Sequence, residues 1–365
     1  MNRHLSALFA SVSFLIPVAA GAETASREAE LLIEFPTSLN SPASMALDAA
    51  GNLYVTSPNF HSEALIEAGK MEAPAAPAIA RLDSSNTLET WYTFTEADME
   101  PTSGLIGPFG IAFGPDGNAY LADMQLWFGG TSRILRIKVE DGKAVGVETV
   151  VSGTSFPNAL VWRGDDLFLS DTVLAEGEDG THISGLYKFN ISELDPENPV
   201  VVTPYGGADN ADPHLFETFV SNGSLKFGAN GLTVDGAGNL YTSIMEDGNI
   251  IKTMVDETGE LVGSEVFAEG MKALDGMSYD PATDRIYVTD LFLNAVYAID
   301  MDGTVELLAQ NGDTDGSGGK LDAPAEVIVR GNEAIVTNFD AVFPSPDMRN
   351  TAADLPITLS VIRLD

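Results

Sequence analysis

The chain has no cysteine among its 365 residues, and only 18 lysines and arginines stand against 54 aspartates and glutamates. Without cysteine there are no disulfides, no thiolate catalysis and no cysteine-based zinc sites. With a formal charge of −36 and no basic stripe to offset it, the chain repels phosphate backbones and anionic headgroups, which excludes nucleic acid and membrane surfaces as partners. There is no phosphate-cradling G-x-x-x-x-G-K, no G-x-S-x-G nucleophile elbow and no H-E-x-x-H, and the cations are too few to neutralise the acidic groups of a quinone cofactor. Acidity of this degree suits a saline habitat or the attraction of divalent cations.

Long apolar runs are missing as well, except at the start. Residues 5–20 are apolar, follow Arg3 and His4, are interrupted at Pro17, and end in Ala20-Gly21-Ala22, a small-x-small cleavage pattern. Residues 1–22 therefore read as a secretory signal, with a mature chain of 23–365 in the periplasm or outside the cell. An exported fold lacking disulfides must take its stability from a large core or from bound metal. The 44% of hydrophobic residues, with 18 Phe, 9 Tyr and 3 Trp, are enough for such a core and exclude disorder.

One phrase recurs six times, over residues 42–57, 108–123, 157–171, 229–243, 274–290 and 324–338. Each copy is a short apolar run opened by a small residue, a tight Asp/Gly/Asn turn and a second β-rich run, which predicts a hairpin. Most copies are followed by two more strand-like runs: 133–139 with 147–151, 186–189 with 200–203, 250–254 with 265–268, and 295–300 with 305–309. Four strands per repeat, six times over and without helical periodicity, predict an all-β chain folded as one six-bladed β-propeller. The last repeat has no run left for an outermost strand, and the strand-like run 30–35 is placed to supply it and close the ring. The long segments 58–78, 172–184, 204–228 and 339–356 fall between second and third strands or between blades. They should build the walls of a binding face at one mouth of the central channel.

At that mouth, the residue before each small opening residue should face the channel: Ala43, Phe109, Asn158, Asn230, Asp275 and Ala325. Asn158, Asn230 and Asp275 occupy consecutive blades and offer only oxygen, a donor set suited to Ca²⁺ rather than zinc. Taken singly, Asn or Asp before Gly is a turn residue; segregation to adjacent blades is what points to a metal.

Three motifs, PNAL at 157–160, NGL at 230–232 and DGM at 275–277, resemble the channel motifs of the senescence marker protein, gluconolactonase and luciferin-regenerating enzyme family, and the resemblance covers the whole mature chain. It implies a six-bladed propeller with a catalytic calcium in its channel that hydrolyses lactones. It implies further that Asn158, Asn230 and Asp275 are metal ligands, with Asp275 also the general base or nucleophile. The family's first-blade glutamate is replaced here by Ala43, and Glu326 is the nearest substitute, one residue past the channel position of blade six. The wording of the repeat also resembles NHL-type and streptogramin-lyase-like propellers, many of which only bind partners; a lyase of that type would need a channel histidine.

Asp123, Asp171, Asp290 and Asn338 end second strands, where they either cap the following turn or support the metal ligands from behind. His61, His182 and His214 lie in or beside the long segments and are candidate loop acid/base groups. The stretch Asn311, Asp313, Asp315, Gly316 and Asp322 has the spacing of a helix-loop-helix calcium loop, but strands flank it, and it reads first as a connector between blades. The expectation is thus an exported, calcium-dependent lactone or ester hydrolase acting as a monomer on a small molecule. The alternative is a non-catalytic propeller that binds a protein or small ligand on its loop face.

Overall fold

A computed structural model describes residues 25–177 and 180–365, so the expected signal at 1–22 lies outside the described residues. Six antiparallel sheets form the ring of a β-propeller. Blade one is β2 (Met45–Leu47), β3 (Leu53–Ser57), β4 (Ala78–Leu82) and β5 (Leu88–Thr93). Blade two is β6 (Pro108–Phe113), β7 (Ala119–Asp123), β8 (Ser132–Glu140) and β9 (Lys143–Thr154). Blade three is β10 (Pro157–Arg163), β11 (Asp166–Glu176), β12 (His182–Asn190) and β14 (Leu215–Ser221), with β13 (Val200–Val201) leaving for a neighbour. Blade four is β15 (Ala229–Val234), β16 (Leu240–Ile244), β17 (Asn249–Val255) and β18 (Leu261–Ala268). Blade five is β19 (Leu274–Asp280), β20 (Arg285–Asp290), β21 (Ala295–Asp300) and β22 (Val305–Gln310).

Blade six holds β23 (Pro324–Arg330), β24 (Glu333–Asn338) and β25 (Thr358–Arg363), and its outermost strand is β1 (Ala29–Glu34), antiparallel to β25. The expected closure is therefore present. The first and last segments of the propeller are laced into one sheet, which pairs an edge that would otherwise be free.

Two expectations about blade three need correction. The run 200–203 is not its outer strand: Val200 and Val201 pair in parallel with Val151 and Ser152, extending blade two. The outer strand is β14, inside the segment 204–228 taken as an insertion. Gly153 helps decide the pairing, because its φ of +92° and missing Cβ admit Val202 O where a side chain would collide. In the same blade 172–184 is largely a lengthened hairpin, with Ala175 opposite Ile183 and Glu176 opposite His182.

The recurring turn has a local explanation. Asp48 accepts from the N–H groups of Ala50 and Asn52, and its other oxygen accepts from Asn52 Nδ2 and the Tyr54 hydroxyl. Asp235, Ala237, Asn239 and Tyr241 repeat the arrangement in blade four. The glycine between them, Gly51 or Gly238, has φ of +80° or +87°. The repeated letters are thus a side-chain-locked hairpin turn at the face away from the long segments.

The channel strand of blades two to six carries a bulge near its start. Pro157 pairs with Asp171 and Leu160 with Leu169, so that Asn158 and Ala159 face the single residue Ser170. Equivalent shifts fall at Phe109-Gly110, Asn230-Gly231, Asp275-Gly276 and Ala325-Glu326. A hydroxyl opposite the bulge links one blade to the next. Ser243 Oγ accepts from Gly231 N–H at 2.7 Å and donates to Asp275 O at 2.9 Å. Ser170 joins Ala159 to Asn230 in the same way, and Thr337 joins Glu326 to Ala43 across the ring closure. Thr289 donates to Ala325 O at 3.1 Å. The small residues have a matching reason, because a Cβ at Gly110, Gly231 or Gly276 would collide with the carbonyl of Asn158, Asp275 or Ala325 in the following blade.

Replacing Ser243 by Ala removes the partner of a buried N–H and of a part-buried C=O, so Ser243→Ala should lower unfolding free energy by about 1–3 kcal/mol in a denaturant titration. A loss below the error of the titration would show that the hydroxyl link carries no stability.

Candidate functional site

The six channel strands, five of them bulged, present side chains that meet in one chamber. Ala43, Phe109, Asn158, Asn230, Asp275 and Ala325 all line an open cavity of about 600 Å³, mouth included. Glu326 joins them. Its place in blade six is the one that other blades fill with Gly110, Ala159, Gly231 or Gly276, so a carboxylate projects where the repeat otherwise has little or no side chain. Glu326 Oε2 accepts from Ser44 Oγ of blade one at 3.1 Å, and Oε1 lies against Gly276 of blade five. The side chain also lines a second cavity deeper in the channel, whose other walls include Met45, Ile111, Leu160, Leu232 and Met277. Glu326 thus stands at the waist between a polar floor above and an aliphatic shaft below.

Electrostatically the floor is strained as it stands. Asp275 is half-buried in the chamber floor, where desolvation pushes its carboxyl up to about 8 despite hydrogen bonds from Asn230 and the Gly276 backbone. Burial, with the Asp275 charge adding to it, holds Glu326 well above the usual carboxylate range. Among the described residues, no lysine, arginine or histidine lines the chamber. Asn158 donates Nδ2 to Thr172 Oγ1 at 3.3 Å and Asn230 donates to Met245 Sδ at 3.5 Å. Both NH₂ groups are occupied this way, and the carbonyl oxygens remain the amides' offering to a ligand. Two amide oxygens and two desolvated carboxyls with no cationic partner among the described lining residues fit a hard divalent cation, which would restore both carboxylates to their charged form.

Above the floor the wall is aromatic. Phe109, Trp127, Phe156, Phe227, Phe339 and Phe343 line the chamber. Their rings meet edge-on, with centroids 5.7 Å apart for Phe109 and Phe156, 5.3 Å for Trp127 and Phe156, and 5.9 Å for Phe227 and Phe343. Only Phe109 was identifiable from the repeat. The others come from connections between second and third strands or between blades, the face on which the long segments were expected.

The strand-ending acids hold backbone behind the floor. Asp171 accepts from Ser155 and Phe156 N–H, and Asp290 from Lys272, Ala273 and Leu293 N–H. Asp123 accepts from Gly107 N–H and is paired with Arg133, while Asn338 Oδ1 accepts from Asp322 N–H. Each fixes the chain just before a channel strand; none lines the chamber.

The histidines do not line it either. His61, in the segment leading into the short helix α1 (Ser62–Glu67), sits behind Phe339 with ring centroids 6.1 Å apart, and burial lowers it to about 4, so it is neutral at pH 7. His182 is the buried first residue of β12. His214 stacks on Phe189 at 5.1 Å and contacts Asp212 at 2.9 Å, outside the chamber.

No family model and no curated protein matches the chain. Among solved structures, luciferin-regenerating enzyme superposes with a TM-score of 0.57 at 12% identity, covering 93% of this chain and 95% of that one. A protein described as a gluconolactonase gives 0.53 at 13%, covering 93% of each chain. The PQQ-bound aldose sugar dehydrogenase of Streptomyces coelicolor gives 0.54 at 16%, covering 94% and 99%. These likenesses establish a shared propeller fold, on which hydrolysis and redox chemistry both occur.

The desolvated carboxyl pair makes a pH prediction for chelator-treated protein. The folded-state pKa of Asp275, about 8, lies above its unfolded value near 3.8, so the native state holds the extra proton between them. Stability is then full below about pH 4 on this account and falls as pH rises toward 8. Thermal unfolding should show that decline in chelator, a flatter profile in Glu326→Gln, and little decline in millimolar calcium. Identical profiles with and without calcium would argue against a cation on this floor.

Proposed function

We propose that the chain is an exported, calcium-dependent hydrolase that cleaves a lactone or ester whose acyl or alcohol portion is apolar. What carries the proposal is the floor itself: the desolvated carboxyls of Asp275 and Glu326 gathered with Asn158 and Asn230, no cationic side chain among the described residues lining the chamber, and an aromatic wall above. Asn158, Asn230, Asp275 and Glu326 would hold the ion, and calcium there would supply Lewis-acid polarisation of the carbonyl oxygen of the substrate.

Asp275 removes a proton from water as the water oxygen bonds to the carbonyl carbon. The bond from that carbon to the alcohol oxygen breaks, and the proton passes from Asp275 to the departing oxygen, leaving an alcohol and a carboxylic acid, which gives up its own proton to solvent. Asn230 and the Gly276 N–H orient the Asp275 carboxylate. Trp127, Phe156 and Phe343 exclude water and seat the apolar body of the substrate. The lining supplies no Lys or Arg to neutralise an acidic quinone, which disfavours the dehydrogenase chemistry of the similarly folded sugar dehydrogenase.

Glu326 takes the part that the family resemblance gives to a first-blade glutamate, reaching the floor from blade six and hydrogen-bonded to blade one. Ala43 at that first-blade position favours the second reading, a propeller that only binds an apolar ligand.

A panel of aliphatic and aryl lactones and esters, assayed with calcium and with chelator, separates the two. Asp275→Asn should lower kcat by about 10²–10⁴-fold with the circular dichroism spectrum unchanged. Trp127→Ala should raise KM for aryl substrates about tenfold with kcat little altered, a loss of about 1.4 kcal/mol in binding. Ligand binding without turnover across the panel, with calcium bound, would replace the hydrolase by the binding propeller.

A further inference from the structure

A second acidic centre lies off the axis, where the connector from blade five meets the long β24–β25 segment of blade six. Asp322, Asp340 and Asp354 each bring a carboxylate oxygen within 4.8 Å of the other two. Asp322 is 2% exposed and Asp340 8%. Buried acids at this spacing need compensation, and the protein provides little. Among the described residues no lysine or arginine forms an ion pair with any of the three, and His61, 3.9 Å from Asp340, is neutral at pH 7. Burial and the charges of Asp340, Asp354, Asp313 and Asp315 all push Asp322 in the same direction, up to about 9.

Independent of the acid count, buried oxygens at this centre lack partners. Asp322 Oδ1 and Asp354 Oδ1 have no hydrogen bond, and neither has Oδ1 of Asn350, a residue 2% exposed. Asn350 is held in place by its other end, donating Nδ2 to Asp340 Oδ1 at 2.8 Å and to Ala341 O at 3.2 Å. The second Asp340 oxygen accepts from Asp354 N–H at 2.6 Å, which brings the distant end of the segment onto the cluster. Leaving three buried oxygens unpaired costs stability at each, and one ion accepting all of them removes that cost.

We infer that Asp322, Asp340 and Asp354, with Oδ1 of Asn350, hold a divalent cation, calcium by its oxygen-only donors, separate from the channel floor. Of the residues with the spacing of a calcium loop, only Asp322 enters this donor set. Asn311 Oδ1 accepts from Leu321 N–H and Asp315 from Ser317, so these serve the connector's own turns. The remaining donors come from the blade-six segment. Its placement gives the ion a role, because Asp340 follows Phe339 directly and Phe343 lies in the same segment, and both rings wall the chamber. The bound ion pins that wall to the connector between blades five and six.

The test is calcium equilibrium dialysis and thermal unfolding of the chelator-treated full chain in 0.3 M NaCl, a concentration that screens loose attraction to an acidic surface. Wild type should bind a calcium equivalent that Asp322→Asn and Asp354→Asn each lose or weaken more than tenfold. The double variant Asp275→Asn with Glu326→Gln should retain it, which keeps this site distinguishable from the channel. In chelator, Asp322→Asn should unfold at no lower temperature than wild type, since the amide relieves repulsion, and it should lose much of the rise that calcium produces. The proposal is overturned if folded Asp354→Asn keeps wild-type stoichiometry and affinity, if the channel double variant abolishes all binding, or if wild type binds no calcium at millimolar concentration.

Discussion

The hydroxyl that joins one blade's bulge to the next blade's channel carbonyl is the contact on which the rest of this structure depends. A propeller blade packs on its neighbour mainly through apolar side chains, and apolar packing is tolerant of small slides. A hydrogen bond from Ser243 to Asp275 O is not, since it is directional and largely shielded from solvent. It sets where the Asp275 backbone stands relative to the blade that carries Asn230. The corresponding links at Ser170 and Thr337 place Asn230 and Ala43. Blade two has Ala122 where the others have a hydroxyl, and its channel residue is Phe109, which contributes to the wall and not to the polar floor.

Both acidic centres follow from that rigidity. Carboxylates on a flexible surface would turn toward water, whereas Asp275 and Glu326 are held half-buried and largely desolvated on bulged strands from adjacent blades. Asp322 and Asp340 flank the β23–β24 hairpin of blade six, and the ladder between those strands fixes their separation. In each case the backbone cannot relax the repulsion, so the site is relieved by a proton or by a bound cation. A chain with 54 acidic residues and 18 basic ones has few internal cations to offer.

Much of this could be read from the letters. The channel positions were identifiable because each precedes a small residue at a fixed offset in a repeat, and the close approach of blades demands small residues there. The ring closure was readable by counting strands. Glu326 was harder, since it occupies a position the repeat reserves for Gly or Ala, and a single departure in a pattern does not say which way a side chain points. The hydroxyls Ser170, Ser243, Thr289 and Thr337 stood in register before the strand ends and were overlooked. The signal that could have found them is their recurrence opposite the bulge. Residues 200–203 show a different failure: β-branched letters mark a strand but not its partner, and β9 of blade two offered an edge that competed with blade three.

By itself the sequence determined the number of blades, the locked Asp/Asn turns, the closure by an N-terminal strand and the residues that face the channel. These rest on local chemistry and on a period, both of which are linear properties. Tertiary structure alone decided the aromatic wall, the reach of Glu326 across the waist, the failure of the histidines to line the chamber and the meeting of Asp322 with Asp340 and Asp354. The physical reason is common to all four. These side chains lie on connections of unequal length or break the pattern of the repeat, and where such a side chain ends depends on which neighbouring blade excludes it and which admits it.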